Sequence, residues 1–388
     1  MNVRWRDSEL EKKFQLALNT GTETPSHLFL EKRFQFDDRI SAAFGAVLSS
    51  QNDIGAIFER QDFPLFSTGR FYRGELILDL NKVTVNLGRH LYDQDPMVQN
   101  SIWNRARLTG DGINWRWDFA DHWRFENSIE FLSNEKDTLN QFFERILNNH
   151  SLQWEGGKWS IFAGEISIYT GTNQSINWRQ SNPFLPYAFH YADSYDRTTP
   201  GYQGDNENAI VYAGLKYNFT EDLFYRTRLF VDDIQIDAAD REIVADGYLW
   251  YNEFHFNVKG DFRSTVHFTL ANPALGWHNG PYTDFITYGF ELLPHSFGEI
   301  YSYGLKLSYK YKFFETYLNL SSTHKAVVDP DIRNLYLKSV QNALDKITVN
   351  QIEVKCGFYL LDNLALWGHV RLETDEKPVY NLILQTYF

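Results

Sequence analysis

The sequence predicts an all-β fold: a transmembrane antiparallel β-barrel of about 18 strands, within roughly 16 to 20, with long extracellular loops. Three observations predict it. Apolar and charged residues alternate with a period of two along most of the chain, short and long connections alternate, and the final strand is amphipathic and ends on Phe388.

The alternation is clearest in two hairpins. Ile113, Trp115, Trp117 and Phe119 share one face against Asn114, Arg116 and Asp118. After Ala120-Asp121-His122, the faces continue as Trp123, Phe125, Ile129 and Phe131 against Arg124, Glu126, Ser128 and Glu130. In the second hairpin, Leu76, Leu78 and Leu80 oppose Glu75, Ile77 and Asp79, and beyond Asn81-Lys82, Val83, Val85 and Leu87 oppose Thr84, Asn86 and Gly88. Successive strand residues point to opposite faces, so each strand carries an aromatic-rich apolar side and a charged side. A soluble sandwich also alternates. Strand after strand with paired charges on one side and aromatics on the other fits lipid outside and a polar lumen inside.

Read this way, strands fall at 11–20, 27–36, 39–49, 68–80, 82–90, 111–119, 122–132, 143–154, 158–168, 209–219, 222–233, 246–258, 261–271, 299–310, 313–322, 348–359, 363–373 and 378–388. Short connections include Asp37-Asp38, Asn81-Lys82, Glu155-Gly156-Gly157, Thr220-Glu221, Lys259-Gly260 and Leu361-Asp362, and long ones occupy 50–67, 91–110, 169–208, 272–298 and 323–347. Barrels place short turns in the periplasm and long loops outside. The parity works with both termini periplasmic, provided Thr283 to Leu292 belongs to a loop. In the last segment Phe388, Leu384, Leu382 and Tyr380 share a face with Thr386, like the terminal strands that barrel-insertion machinery reads. Asp329-Pro330-Asp331 followed by Ile332, Leu335, Tyr336, Val340 and Leu344 predicts a short amphipathic helix inside a loop.

Composition sets outer bounds. The chain has 388 residues, among them 31 Phe, 23 Tyr and 11 Trp, and no apolar run long enough for a transmembrane helix. The single cysteine, Cys356, excludes an internal disulfide framework. A net charge of -13 argues against nucleic acid as a partner. Met1 to Lys13 is charged and lacks an apolar core, so it is not a secretory signal, and the export signal a barrel needs is expected to have been removed. The domain reading is a short periplasmic segment at 1–10 followed by one barrel over 11–388.

No catalytic motif stands out: Gly-x-Ser-x-Gly, His-Glu-x-x-His and a phosphate-binding Gly-Lys-Ser/Thr are all absent. Asp232 and Asp233 point to opposite faces, so one of them is expected to reach inward toward Arg226 or Arg228 as a lumen ion pair. The 11 His lack metal-ligand spacing, and neither a metal nor a cofactor is expected. The loop 169–208 is the richest candidate. Its Trp178, Arg179, Asn182, Tyr187, Tyr191, Asp205 and Asn206, with Trp277 and His278 from 272–298, combine aromatic faces with polar groups. Sugars offer C–H faces to stack and hydroxyls to bond, so this pattern suits carbohydrate, while packing of the loop as a plug is the plainer alternative.

Several stretches resemble the capsule-assembly (Wzi-type) outer-membrane proteins. They are Asn149 to Glu155, Phe162 to Tyr169, Ser181 to Tyr187, Asp205-Asn206 before a strand, and Leu229 to Asp233, within roughly 105–310. The resemblance implies a barrel of about 18 strands that holds capsular or other extracellular polysaccharide at the cell surface as a lectin, not an enzyme. Family members usually also carry an N-terminal periplasmic helical segment, where this chain has a short polar start. The expected partners are outer-membrane lipid, surface polysaccharide and the insertion machinery. The rival reading is a porin or exporter for small or acidic solutes.

Overall fold

The computed structural model describes residues 13–18, 27–49, 68–91, 109–132, 135–136, 142–171, 207–232, 247–258, 261–273, 275, 286–287, 290–291, 298–327, 338–361, 364–374 and 378–387. In chain order the ring strands are β1 (Lys13–Leu18), β2 (His27–Gln35), β3 (Ile40–Ser49), β4 (Thr68–Asp79), β5 (Val83–Leu91), β6 (Thr109–Ala120), β7 (Trp123–Phe131), β8 (Phe142–Gly156) and β9 (Trp159–Gly171). They continue as β10 (Glu207–Asn218), β11 (Leu223–Val231), β12 (Tyr248–Val258), β13 (Phe262–Ala271), β14 (Glu299–Tyr311), β15 (Phe314–Ala326), β16 (Lys346–Leu361), β17 (Leu364–Glu373) and β18 (Val379–Tyr387). The sheet has 19 hydrogen-bonded strands; one of them, Glu135–Lys136, only flanks β8, which leaves 18 in the ring among the described residues. Each strand pairs antiparallel with its sequence neighbour, and β18 returns onto β1 through Leu384↔Leu16 and Thr386↔Phe14.

The expected strands are found one for one. Turns at 36–39, 80–82, 121–122, 157–158, 219–222 and 312–313, together with the short connections after β12 and β16, all join an even-numbered strand to the next odd one, so they lie at one end of the barrel. By the rule for such barrels this is the periplasmic end. Turn chemistry fits the sequence. Asn81 (φ 69°) and Gly157 (φ 56°) take the left-handed conformation these residue types tolerate. The Asp37 carboxylate accepts from the backbone N–H of Arg39 (2.7 Å) and Ile40 (2.8 Å).

At the other end the ladders run further than expected. β9 reaches Gly171 and β10 begins at Glu207, so the long loop contracts to 172–206, and the loop expected at 323–347 contracts to 327–345. Ile286–Thr287 and Phe290–Glu291 form a separate two-stranded hairpin, which keeps the ambiguous 283–292 stretch in a loop. Helix α1 spans Lys338–Ala343; the expected start at 329–331 lies outside the described residues.

Side chains are distributed inside out. On β12, Trp250, Phe254 and Phe256 are exposed, while the alternating Tyr251, Glu253 and His255 are buried. The ladder carries this sidedness around the wall: Val266 and Phe268 on β13 and Leu229 on β11 are exposed on the outside. Trp117 pairs with Phe125 outside, and Arg116 with Glu126 inside. Aromatic residues gather beside the periplasmic turns, where Trp159 and Tyr217 meet at 4.3 Å between ring centroids and Phe219, Tyr311 and Phe313 are exposed. Trp250, Tyr301 and Tyr303 form the opposite group of exposed rings. Two girdles around an apolar belt are what a bilayer requires.

The outer ends of β7 to β9 depart from this rule. Asn127, Asn148 and Ser167 stand on the outward parity yet are buried, and outward His150 approaches Glu165 at 3.8 Å. The 15 residues of β8 rise roughly 38 Å at a tilt of about 40°, beyond an apolar band about 25 Å tall. The tops of these strands therefore pass beyond the belt, and lower down Asn127 is held by accepting from Trp115 Nε1 (2.9 Å) and donating to Asn149 C=O (3.1 Å).

An arginine on the lipid face should be costly and a lumen truncation cheap. Phe254→Arg is expected to lower refolding stability in bilayers by about 2–4 kcal/mol, whereas Arg116→Ala, in an open part of the lumen, should cost at most about 1 kcal/mol. Urea titration of vesicle-refolded protein measures both, and equal losses would show the faces to be misassigned.

Candidate functional site

The inner face of the wall divides into two regions. Along β8 to β13 it is sealed. Toward the loop end, Leu147, Ile166, Ile168, Ile210, Tyr212, Phe230, Leu249 and Ala271 all lie on the inward parity and form one buried apolar cluster. Leu275 completes it, supplied from the loop after β13 through a turn in which its N–H donates to Asn272 C=O (3.0 Å). Inward apolar side chains buried to this degree are shielded from water in the lumen. Glycines let the rings lie flat. A Cβ at Gly164 would stand 2.6 Å from Tyr212 Cζ, and one at Gly214 would stand 2.2 Å from Phe162 Cζ. The Tyr212 hydroxyl donates to Asn149 Oδ1 (2.8 Å).

Below that cluster lies a buried charge network. Glu253 on β12 accepts from the Tyr251 hydroxyl (2.9 Å) and pairs with Arg226 (3.1 Å) and Arg228 (3.9 Å) on β11. The Arg228 guanidinium also stands 5.2 Å from the Tyr251 ring centroid. His255 bridges Thr265 (2.8 Å) and Asn257 (3.0 Å). Sequence reasoning sought the partner of these arginines at Asp232 or Asp233; the structure supplies Glu253 from the facing strand. Arg226↔Glu253 is a direct cross-strand pair, which only the register makes visible. The carboxylate is fully buried (0% exposed), so its pairing is structural.

Along β14 to β17 the inner face is partly exposed: Ser302 and Ser308 are buried, and two lysines are not. Lys310 (59% exposed) and Lys355 (39%) reach into the lumen. Tyr359 donates to Glu315 (2.7 Å), and Glu353 accepts from Lys355 (2.9 Å) and approaches His369 Nε2 at 3.0 Å. On β6 and β7, Asp118 binds Arg124 (2.7 Å) near Arg116 (3.5 Å). The lumen is thus an aqueous vestibule near the turns, with one wall sealed toward the loops.

The sequence candidates Trp178, Arg179, Asn182, Tyr187, Tyr191, Asp205, Asn206, Trp277 and His278 all lie outside the described residues. The structure fixes their anchorage. The loop with the first seven leaves β9 and enters β10 at the Tyr169↔Glu207 pair, above the sealed wall. The loop with the last two begins at Asn272 beside Leu275, and Asn272 exchanges carboxamide hydrogen bonds with Gln341 of α1 (3.1 and 3.4 Å). Two loops therefore converge on the outer end of β13. Sequence reasoning missed the inward apolar cluster, because on β8 and β9 the apolar residues Leu147, Ile166 and Ile168 face inward while Asn148 and Ser167 face outward, the reverse of the sidedness in the belt.

These features define the class: the fold is that of the bacterial outer-membrane β-barrels. The structure is similar to Escherichia coli Wzi, an outer-membrane protein involved in group 1 capsule assembly and a carbohydrate-binding β-barrel, with a TM-score of 0.65 at 9% identity over 98% of this chain and 85% of that one. It is also similar to a variant of OccD1 (OprD), with a TM-score of 0.56 at 8% identity over 100% and 97% of the two chains. Pseudomonas aeruginosa OpdK with vanillate gives a TM-score of 0.55 at 10% identity over 98% and 96%. By sequence, no family model and no curated protein matches the chain. At these identities the likeness is one of fold.

Removing the buried acid should unbalance two arginines. Glu253→Ala is expected to destabilise the refolded barrel by about 3–5 kcal/mol, because it strands buried guanidinium charge. Glu315→Ala on the partly exposed wall should cost about 1 kcal/mol or less. Heat-modifiability on gels, followed by urea titration, separates the two, and a Glu253→Ala barrel as stable as the parent would contradict the network's role.

Proposed function

We propose that the chain is a non-enzymatic outer-membrane barrel that binds or anchors surface polysaccharide. The observation that carries this reading is the sealed inner wall of β8 to β13, into which Leu275 packs from a long loop. A diffusion pore needs a polar, continuous lumen, whereas a wall dry toward its loop end is a scaffold for folded loops. Loop 172–206 is the natural source of the covering atoms: it begins and ends on β9 and β10, directly above the cluster. In this proposal its Trp178, Asn182, Tyr187 and Tyr191, with Arg179, Asp205 and Asn206, and Trp277 and His278 from the neighbouring loop, present aromatic faces and hydrogen-bonding groups outward to the glycan. The likeness to the carbohydrate-binding barrel Wzi supports the same direction.

Many weak sugar contacts along a polymer add through effective concentration, so retention can be firm while each contact is weak. Stacking rings should therefore matter individually. Trp178→Ala and Tyr187→Ala are each expected to reduce surface glycan retained on cells severalfold, about the loss of one aromatic contact, with the barrel still folded. Capsule staining with outer-membrane protein quantified in parallel reads this out; a double variant with full retention would overturn the proposal.

A further inference from the structure

The partly exposed wall of β14 to β17 holds a second arrangement that the loops do not explain. Trp367 on β17 faces the lumen directly opposite Gly357 on β16. The glycine is a seat for the indole: a Cβ there would stand 2.6 Å from Trp367 Cδ2. Tyr359 braces the indole edge-on, with ring centroids 6.2 Å apart and planes at 79°. Tyr359 is itself held by its hydrogen bond to Glu315 and by Lys310, whose ammonium lies 5.4 Å from its ring centroid. The result is an aromatic shelf near the periplasmic ends of β16 and β17.

Charged groups share the inner face with the shelf, among them Lys306 on β14. Lys310 with Glu315, Lys355 with Glu353, and Arg371 with Glu373 are three ion pairs on the same inner face. Polar atoms on this face that are buried without a hydrogen-bond partner include the donors Trp367 Nε1 and Arg371 Nε and the acceptor Asn319 Oδ1. Burying such atoms unpaired is costly, so they are places for a hydroxyl to bond. A flat apolar face rimmed by paired charges suits a ring with C–H faces and hydroxyl edges. A purely apolar ligand would strip water from the charges, and an anion would meet the carboxylates of Glu315 and Glu353.

We propose that Trp367, seated on Gly357 and braced by Tyr359, is a saccharide subsite in the periplasmic vestibule that takes a neutral sugar segment arriving from the periplasm. The proposal extends the polysaccharide reading to the other mouth of the barrel and rests on different residues. Sugars entering the vestibule stack on the indole face, while Glu315, Glu353 and Trp367 Nε1 serve their hydroxyls.

The test uses the refolded full-length barrel in detergent micelles, labelled with fluorotryptophan, with the Trp367 fluorine signal assigned by its disappearance in Trp367→Phe. Maltohexaose is the neutral probe and trigalacturonate the acidic one. Maltohexaose should shift the Trp367 signal saturably, and more than trigalacturonate does. Trp367→Ala should weaken maltohexaose binding about tenfold, the equivalent of one aromatic contact, while Trp367→Phe should stay within about threefold because a ring remains. Heat-modifiability confirms that each variant is folded. A signal unmoved by either sugar overturns the subsite, and a larger response to trigalacturonate overturns the neutral assignment. The two readings separate cleanly. A silent Trp367 with glycan lost in the Trp178→Ala/Tyr187→Ala double variant removes the vestibule site alone. A responsive Trp367 with full retention in that variant removes the loop site alone.

Discussion

Closure of the sheet by β18 on β1 is the constraint on which the rest of the structure depends. Hydrocarbon offers no partner to a backbone amide, and each unsatisfied group there costs several kcal/mol, so a sheet that crosses a bilayer must have no edges. The ring meets that condition through antiparallel ladders alone, without a crossover. Once the ring is closed, the pleat leaves each side chain two choices, lipid or lumen. The exposed Phe254 and the buried Glu253 are adjacent residues answering to different solvents. Exposed aromatics that would be a liability on a soluble protein are here the belt that holds the barrel in place.

The lumen then becomes the place where function must be built, and its two regions divide the work. Along β8 to β13 it behaves like the interior of a soluble domain, with an apolar cluster, a Tyr212–Asn149 hydrogen bond and the Glu253 network. Along β14 to β17 it is partly exposed and carries the shelf of Trp367 and Tyr359 among exposed lysines. Glycines serve both regions, since Gly164 and Gly357 each vacate the space that a neighbouring strand's ring fills.

Most of the fold was legible in the sequence because a lipid-facing strand must alternate. Trp115 against Arg116 and Phe125 against Glu126 announce their sides without any structure, and short turns such as Asn81-Lys82 announce their end. Legibility fails where the environment stops being two-sided. Ile166 and Ile168 face inward yet are apolar, Asn148 and Ser167 face outward yet are polar, and all four are buried. The site was read less well for a related reason. Arg226 with Glu253 and Gly357 with Trp367 are cross-strand pairs far apart in sequence, and register, not local pattern, brings them together. The reading of the loops picked out residues by their chemistry, while the structure fixes where those loops are anchored.

The central proposal is that this chain closes the outer half of the lumen along β8 to β13, so that the barrel serves as a scaffold and not as a channel. Single-channel recording of the refolded full-length protein in planar bilayers tests this most directly. The account predicts small or undetectable currents, rising when the inner seal is disrupted by paired Ile166→Asp and Phe230→Asp substitutions in a barrel that still folds. Large, stable unit currents from the unaltered protein would contradict it.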